Sequence, residues 1–341
     1  MKRILALVLC VLVFAGILSG CSTQKKNDKI EIVTTIFPEY DWVREIVGEN
    51  TDRVNITMLI DSGTDLHSYQ PTADDIVKVA TCDLFIYVGG ESDKWVDDVL
   101  KTANNPDMIV VNLLAVLGDK VKEEEVKEGM EAEHDHDEEE EHDHDLDEDE
   151  EHGHEHHHDE EEPEFDEHVW LSLKNAVELT EYITEKIKAL DPDKADDYAA
   201  NTAAYSAKLK ALDQRYAAAV AAGSVRTLLF GDRFPFRYLV DDYGLDYFAA
   251  FVGCSAETEA SFETVVFLSN KVDELGLKAI LQIESANGKI AETIKKQTQT
   301  KDQTVLTLDS MQSVTAKDVK NGTTYLGVME RNLEVLKEAL K

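Results

Sequence analysis

The sequence predicts an α/β protein built as two doubly wound lobes joined by one long interdomain helix. Three observations carry that reading. Short apolar runs alternate with segments of helical period in the first half of the chain, and the alternation resumes in the second half. Between the halves, residues 191–222 form an Ala-rich stretch without a glycine. The 341-residue chain is also too long for one ordinary core and suits two.

The elements follow in order. Met1-Lys2-Arg3, an apolar run to Leu18 and then Ser19-Gly20-Cys21 have the layout of a secretory signal over residues 1–20. Leu18-Ser19-Gly20-Cys21 resembles a bacterial lipobox, which makes Cys21 the expected lipidation site and residues 21–28 a tether. A first lobe is expected over residues 29–190. Its strands are read at 29–36, 54–60, 84–88 and 108–113, with helices at 38–47, 72–80, 95–101 and 175–190. From about residue 120 to 164 the pattern gives way to acid and histidine, a composition that predicts a disordered insertion. Asp191-Pro192 reads as an N-cap with proline in the first turn, opening the linking helix at 191–222. The second lobe, 223–341, is expected to place strands at 226–230, 247–252, 279–283 and 304–308. Its helices are expected at 237–243, 261–275, 290–297 and 325–340.

The net charge of −36 is unevenly spread, because residues 131–167 hold 23 acids and no Lys or Arg. An acidic chain without a basic patch repels phosphate backbones, which excludes nucleic acid as a partner and favours cations. Of four cysteines, Cys10 lies in the signal and Cys21 is the lipid site. Cys82 and Cys254 make no disulfide framework. Cys82 reads as core, whereas Cys254 ends a predicted strand and is open to burial or to ligation. In parallel sheets, ligand groups collect on loops at the carboxyl ends of strands, so a ligand is expected in the crevice between the lobes.

Nine of eleven histidines fall in the insertion, at His134, His136, His142, His144, His152, His154, His156, His157 and His158, and form a field of weak, exchangeable metal sites. Only His67 and His168 lie elsewhere. Their surroundings, Gly63-Thr64-Asp65-Leu66-His67-Ser68-Tyr69-Gln70-Pro71 and Asp166-Glu167-His168-Val169-Trp170-Leu171, resemble the histidine motifs of the zinc and manganese solute-binding lipoproteins of bacterial ABC transporters. The likeness extends over almost the whole mature chain. It implies an extracytoplasmic, membrane-anchored, monomeric receptor that captures Zn²⁺, or alternatively Mn²⁺, and passes it to a permease driven by its own ATPase. It further implies that His67, His168 and Asp309 are metal ligands in the interlobe cleft. Where many members of that family carry a further histidine, this chain has Arg233, and a guanidinium cannot ligate a cation. Cys254 or Asp232 is the expected replacement. Imidazole with thiolate suits Zn²⁺ better than Mn²⁺, which prefers oxygen.

Enzymatic function is not expected. His154-Glu155-His156-His157-His158 matches the zinc-protease pattern, but in a tract of Glu and His a match this short arises by composition. A secreted zinc hydrolase is therefore a lesser alternative. So is a calcium-dependent adhesin, because the acidic run 135–151 lacks the glycine of a calcium loop. Gly288-Lys289 lacks the remainder of a phosphate loop.

Overall fold

The computed structural model describes residues 29–131, 164–255 and 259–341. The expected signal, the lipid site Cys21, the tether and the nine clustered histidines lie outside those residues.

The first sheet contains β1 (Ile30–Thr34), β2 (Val54–Met58), β3 (Leu84–Tyr87) and β4 (Ile109–Asn112) in the order β2-β1-β3-β4. The second contains β5 (Thr227–Phe234), β6 (Asp246–Val252), β7 (Ala279–Ile283) and β8 (Thr304–Leu308) in the equivalent order β6-β5-β7-β8. Every strand pairing within the two sheets is parallel. Helices cover both sheets, so a central strand such as β3 reads as a short apolar run with Leu84, Phe85 and Ile86 buried.

In the first lobe the helices are α1 (Phe37–Val47), α2 (Ala73–Thr81), α3 (Trp95–Leu100), α4 (Leu113–Leu117) and α5 (Leu173–Leu190). Thr72 starts α2 with a capping box to Asp75, and Ser172 caps α5 through the Asn175 amide. Then comes α6 (Ala195–Ala222), 28 residues long, preceded by a 3₁₀ turn at Pro192–Lys194. The second lobe adds α7 (Arg237–Tyr243), α8 (Phe262–Leu275), α9 (Lys289–Gln297), α10 (Ala316–Lys320) and α11 (Tyr325–Ala339).

Two expectations need correction. Asp191 does not cap the long helix: its carboxylate accepts from Arg53 at 2.7 and 2.5 Å and from Tyr198 Oη at 2.8 Å. The structured chain also runs further into the expected insertion than composition predicts. Residues 120–131 are pinned, with Glu124 N donating to Glu164 O (2.8 Å), Asp166 N to Lys122 O (2.8 Å) and Glu131 N to Ala250 O (3.0 Å). Lys127 pairs with Asp246 and Glu125 with Arg237, so this acidic arm is fastened by basic residues and by β6 backbone. Its charge run concealed a stem that crosses from the first lobe to the second.

The long helix spans about 42 Å and packs on α1, α5 and α11. It does not link the lobes alone. Tyr216 Oη donates to Met329 O (2.6 Å), Tyr325 Oη to Trp170 O (2.6 Å) and Trp170 Nε1 to Ser310 O (2.9 Å). One hydrophobic cluster runs from Ile32 to Leu340 through both lobes, with a smaller one around β6, α8 and α9.

Candidate metal centre

Loops at the carboxyl ends of strands build the centre from both sheets. His67 follows β2 on a 3₁₀ turn, Leu66–Ser68, whose N-cap Asp65 accepts from the His67 amide at 3.0 Å. His168 begins another 3₁₀ turn, Val169–Leu171, and is fully buried. Cys254 follows β6. The ligating atoms of His67, His168 and Cys254 all lie within 4.8 Å of one another. Bonds of about 2.0 Å to nitrogen and 2.3 Å to sulfur separate donors by roughly 3.3–3.8 Å, so small side-chain shifts complete the site.

Each imidazole is held from behind. His67 Nδ1 meets Ser92 Oγ at 2.7 Å, and His168 Nδ1 meets Asp166 Oδ1 at 3.0 Å. The same Asp166 oxygen accepts the His168 amide at 2.9 Å, fixing ring and backbone together. The two Nε2 atoms stand 3.2 Å apart, close enough to share a proton or to bind one cation between them. Two glycines make the approach possible. A Cβ on Gly253 would lie 3.1 Å from His168 Cε1, and one on Gly90 would lie 2.4 Å from Glu167 Oε1 while forcing a side chain to φ +86°.

The electrostatics favour neutral ligands at His67. Burial first, then the neighbouring His168, lowers its pKa to about 3. For His168 burial is the largest effect and opposes the charge, yet Asp166, Glu167 and Asp65 together raise its pKa above the ordinary value. Burial first, and then Glu124, Asp166 and Glu167, push the Cys254 thiol well up. A metal must therefore displace the thiol proton itself. Glu124, from the pinned stem, accepts the Cys254 amide at 2.9 Å.

The other expected residues stand outside this three-residue cluster. Asp309 ends β8, but its Oδ1 accepts from Met311 N (2.8 Å), and its backbone is clasped by Asn332 at 2.9 and 2.7 Å. Burial, then Glu284, raises the Asp309 pKa to about 6. Asp232 accepts from Arg233 N (2.8 Å) and Ile283 N (3.1 Å), tying β5 to β7. Neither belongs to the three-residue cluster. Arg233 does not ligate: its guanidinium donates to Asp65 Oδ2 (2.6 Å) and Ser255 O (3.1 Å), bridging the lobes beside the centre. Asp65 and Arg233 also line a cavity of about 260 Å³ with Ser68, Asp232, Ser285 and Lys289. Cys82 is core, as its sequence context indicates, with Sγ 3.2 Å from Val79 O.

One neighbour escaped the sequence reading. Gln312, after β8, is buried, and its hydrogen-bond partners orient the amide nitrogen toward Asp65 (3.0 and 3.2 Å) and the oxygen toward His168 Nε2 at 3.2 Å. Being uncharged, it carries no signal in composition. Asp166 and Glu167 stand in the quoted histidine motif, where spacing alone does not reveal that Asp166 holds the ring.

Comparison with known proteins identifies the family. The family described as zinc-uptake complex component A, periplasmic (ZnuA), matches residues 32–339. The zinc-binding lipoprotein AdcA of Streptococcus pneumoniae is 35% identical over 345 residues, 99% of this chain and 61% of that protein. The chain thus spans about three fifths of the length of such relatives. The high-affinity zinc uptake system protein ZnuA of Bacillus subtilis is 30% identical over 319 residues, covering 94% of this chain and 90% of that one. Among solved structures, the Zn(II)-bound ZnuA-like domain of S. pneumoniae AdcA has a TM-score of 0.67 at 28% identity, covering 92% of this chain and 99% of that domain. The metal-dependent lipoprotein YcdH of B. subtilis has a TM-score of 0.69 at 25% identity, covering 92% and 99%. By the extent of the family match and by identity to its members, the chain belongs to the ZnuA family of zinc-uptake components.

Proposed function

We propose that this chain is the extracytoplasmic receptor of an ABC importer, capturing Zn²⁺ and delivering it to a membrane permease whose ATPase supplies the energy. The observation that carries this reading is the convergence of His67, His168 and Cys254. Two neutral imidazoles enter zinc's shell through Nε2, and Ser92 and Asp166 keep their rings aimed. Zn²⁺ stabilises the Cys254 thiolate, and the proton is lost. A fourth place is open to water or to the Gln312 oxygen. Asp65 offsets the Arg233 charge beside the incoming cation and orders the His67 turn. Mn²⁺ is disfavoured by nitrogen and sulfur donors.

Cys21 is the proposed lipid anchor and the receptor acts as a monomer. Relatives carry the name lipoprotein, and among the described residues no helix is long and apolar enough to cross a membrane. The histidines between residues 134 and 158 are proposed to concentrate zinc near the cleft, since the stem that leads to them passes Cys254. Metal analysis and X-ray absorption on the full chain, equilibrated with one equivalent of zinc, test the assignment. A shell of two nitrogens, one sulfur and a lighter fourth atom is expected; a shell without sulfur overturns it.

A further inference from the structure

We propose that the same centre also binds copper, as Cu(II) held trigonally by His67, His168 and Cys254 with the Gln312 amide oxygen as a weak axial neighbour. The inference rests on the ligand reading above and extends it to a second metal with different consequences. Two imidazoles and one thiolate around a metal, with a weak oxygen on the axis, are the donor set of blue-copper centres.

The three donors stand close to one another, with an amide oxygen beside them. The imidazole Nε2 atoms are 3.2 Å apart and, with Cys254 Sγ, fall within 4.8 Å of one another. Gln312 presents a neutral oxygen, 3.2 Å from His168 Nε2, with its amide nitrogen held by Asp65. Asp65 is in turn held by Arg233 from β5, so the Gln312 amide is anchored at its nitrogen end. A carboxylate on the axis would bind more strongly and draw the metal toward a tetrahedral site, whereas an amide leaves the three-donor plane dominant.

The protein also protects a copper thiolate from its usual failure, in which two thiolates reduce two Cu(II) ions and join as a disulfide. Cys82 is buried in the first lobe's core and Cys254 is partly exposed, so among the described residues no second thiol stands at the centre. Copper ranks above zinc at mixed nitrogen and sulfur sites. Copper therefore competes with the cargo at its own ligands, and its presence blocks zinc capture.

The test adds Cu(II) to the metal-free full chain and reads absorption and electron paramagnetic resonance. An intense visible thiolate-to-copper band with compressed copper hyperfine splitting is expected, because the histidine tract has no sulfur and gives only weak absorption. The band should vanish in Cys254→Ser and fall as zinc is added. In parallel, zinc protection of Cys254 from alkylation is measured on the same preparation. Protection by zinc without the band on copper addition overturns the copper proposal and leaves the zinc ligands standing. Absence of both overturns the ligand reading as well. A band that bleaches while chains become disulfide-linked also overturns the proposal, since the thiolate then serves as reductant. The spectrum of the unaltered chain decides between these results even if the variant fails to fold.

Discussion

Replacing Asp166 with Asn isolates what the residue behind His168 contributes. The substitution keeps an oxygen for the His168 amide and Nδ1, at 2.9 and 3.0 Å in the structure, and removes only the charge. Both residues are buried, Asp166 at 2% exposure and His168 at 0%, so water does not restore what is lost. A hydrogen bond to a charged acceptor contributes about 1.5–3 kcal/mol against about 0.5–1.5 for a neutral one. The difference, about 1–1.5 kcal/mol, corresponds to roughly tenfold in zinc affinity, within the range of about 10–100-fold for groups that orient metal-bound histidines. Chelator competition near pH 7.5 measures it. A second reading separates basicity from mere distortion. Asp166 raises the His168 pKa, so protons compete with zinc more strongly in the unaltered chain than in Asp166→Asn. As pH falls the variant's deficit should therefore shrink. A deficit that is absent, or that grows on acidification, refutes the role assigned to Asp166.

The remaining predictions follow from the same geometry. His67→Ala or His168→Ala should weaken zinc at least tenfold, above roughly 1.4 kcal/mol, with circular dichroism unchanged; equal affinity in both variants would sink the site. Cys254→Ser should weaken Zn²⁺ more than Mn²⁺ because sulfur favours zinc, as calorimetry with each metal would reveal. Deleting residues 132–163 while retaining the Glu124–Glu164 stem should remove the weak sites and leave one tight site, counted by metal titration. For stability, burial raises the pKa of Asp93 to about 7 and of Asp41 to about 6. The folded chain then holds protons there that the unfolded chain has released, so these groups lose stability as pH rises from about 4 to 7, with His67 acting in the opposite sense. Asp93→Asn should flatten the fall in melting temperature between about pH 4 and 7; an unaltered slope would exclude Asp93 as its source.

Much of the fold was legible because burial on both faces of a parallel sheet leaves apolar runs that stop where the strand stops. Strands β7 and β8 and helix α7 coincide with the expected 279–283, 304–308 and 237–243. Strand β5 was read too short. Gly231, Asp232 and Arg233 break its apolar run, and the strand continues through them with a register shift against β6 between Phe230 and Arg233. Those residues serve neighbouring elements and the centre instead of the core, which is why hydropathy ended early. The candidate centre was legible where its chemistry is rare, at His67, His168 and Cys254, which the structure brings together. It was illegible where ordinary residues act through position. The last β8 loop offers Asp309, the more conspicuous ligand type, but its carboxylate turns back to its own backbone. Gln312 is the side chain that reaches His168.

The way the lobes are joined constrains how a metal can enter and leave. A two-lobed receptor with a thin hinge opens by rotating one lobe away from the other, but here a continuous buried cluster and α6 run across both. Tyr325 binds Asp41 through its amide at 2.7 Å and Trp170 through its hydroxyl, while Trp170 reaches Ser310. Rotation would expose these buried donors and acceptors together, each at a cost of about 1–3 kcal/mol. The contacts nearer the candidate centre are more readily exchanged: Arg233 to Asp65, Ala316 N to Asp61 O at 2.7 Å, and Gln312 to Asp65. Asp61, Asp65 and Gln312 lie on loops, and Asp65 and Arg233 also line the cavity beside the centre. His67 and His168 are held by the first lobe, and Cys254 and Gln312 by loops of the second. Local withdrawal of the second lobe's loops would separate His67 and His168 from Cys254 and Gln312 without breaking the core, which makes it the less costly opening.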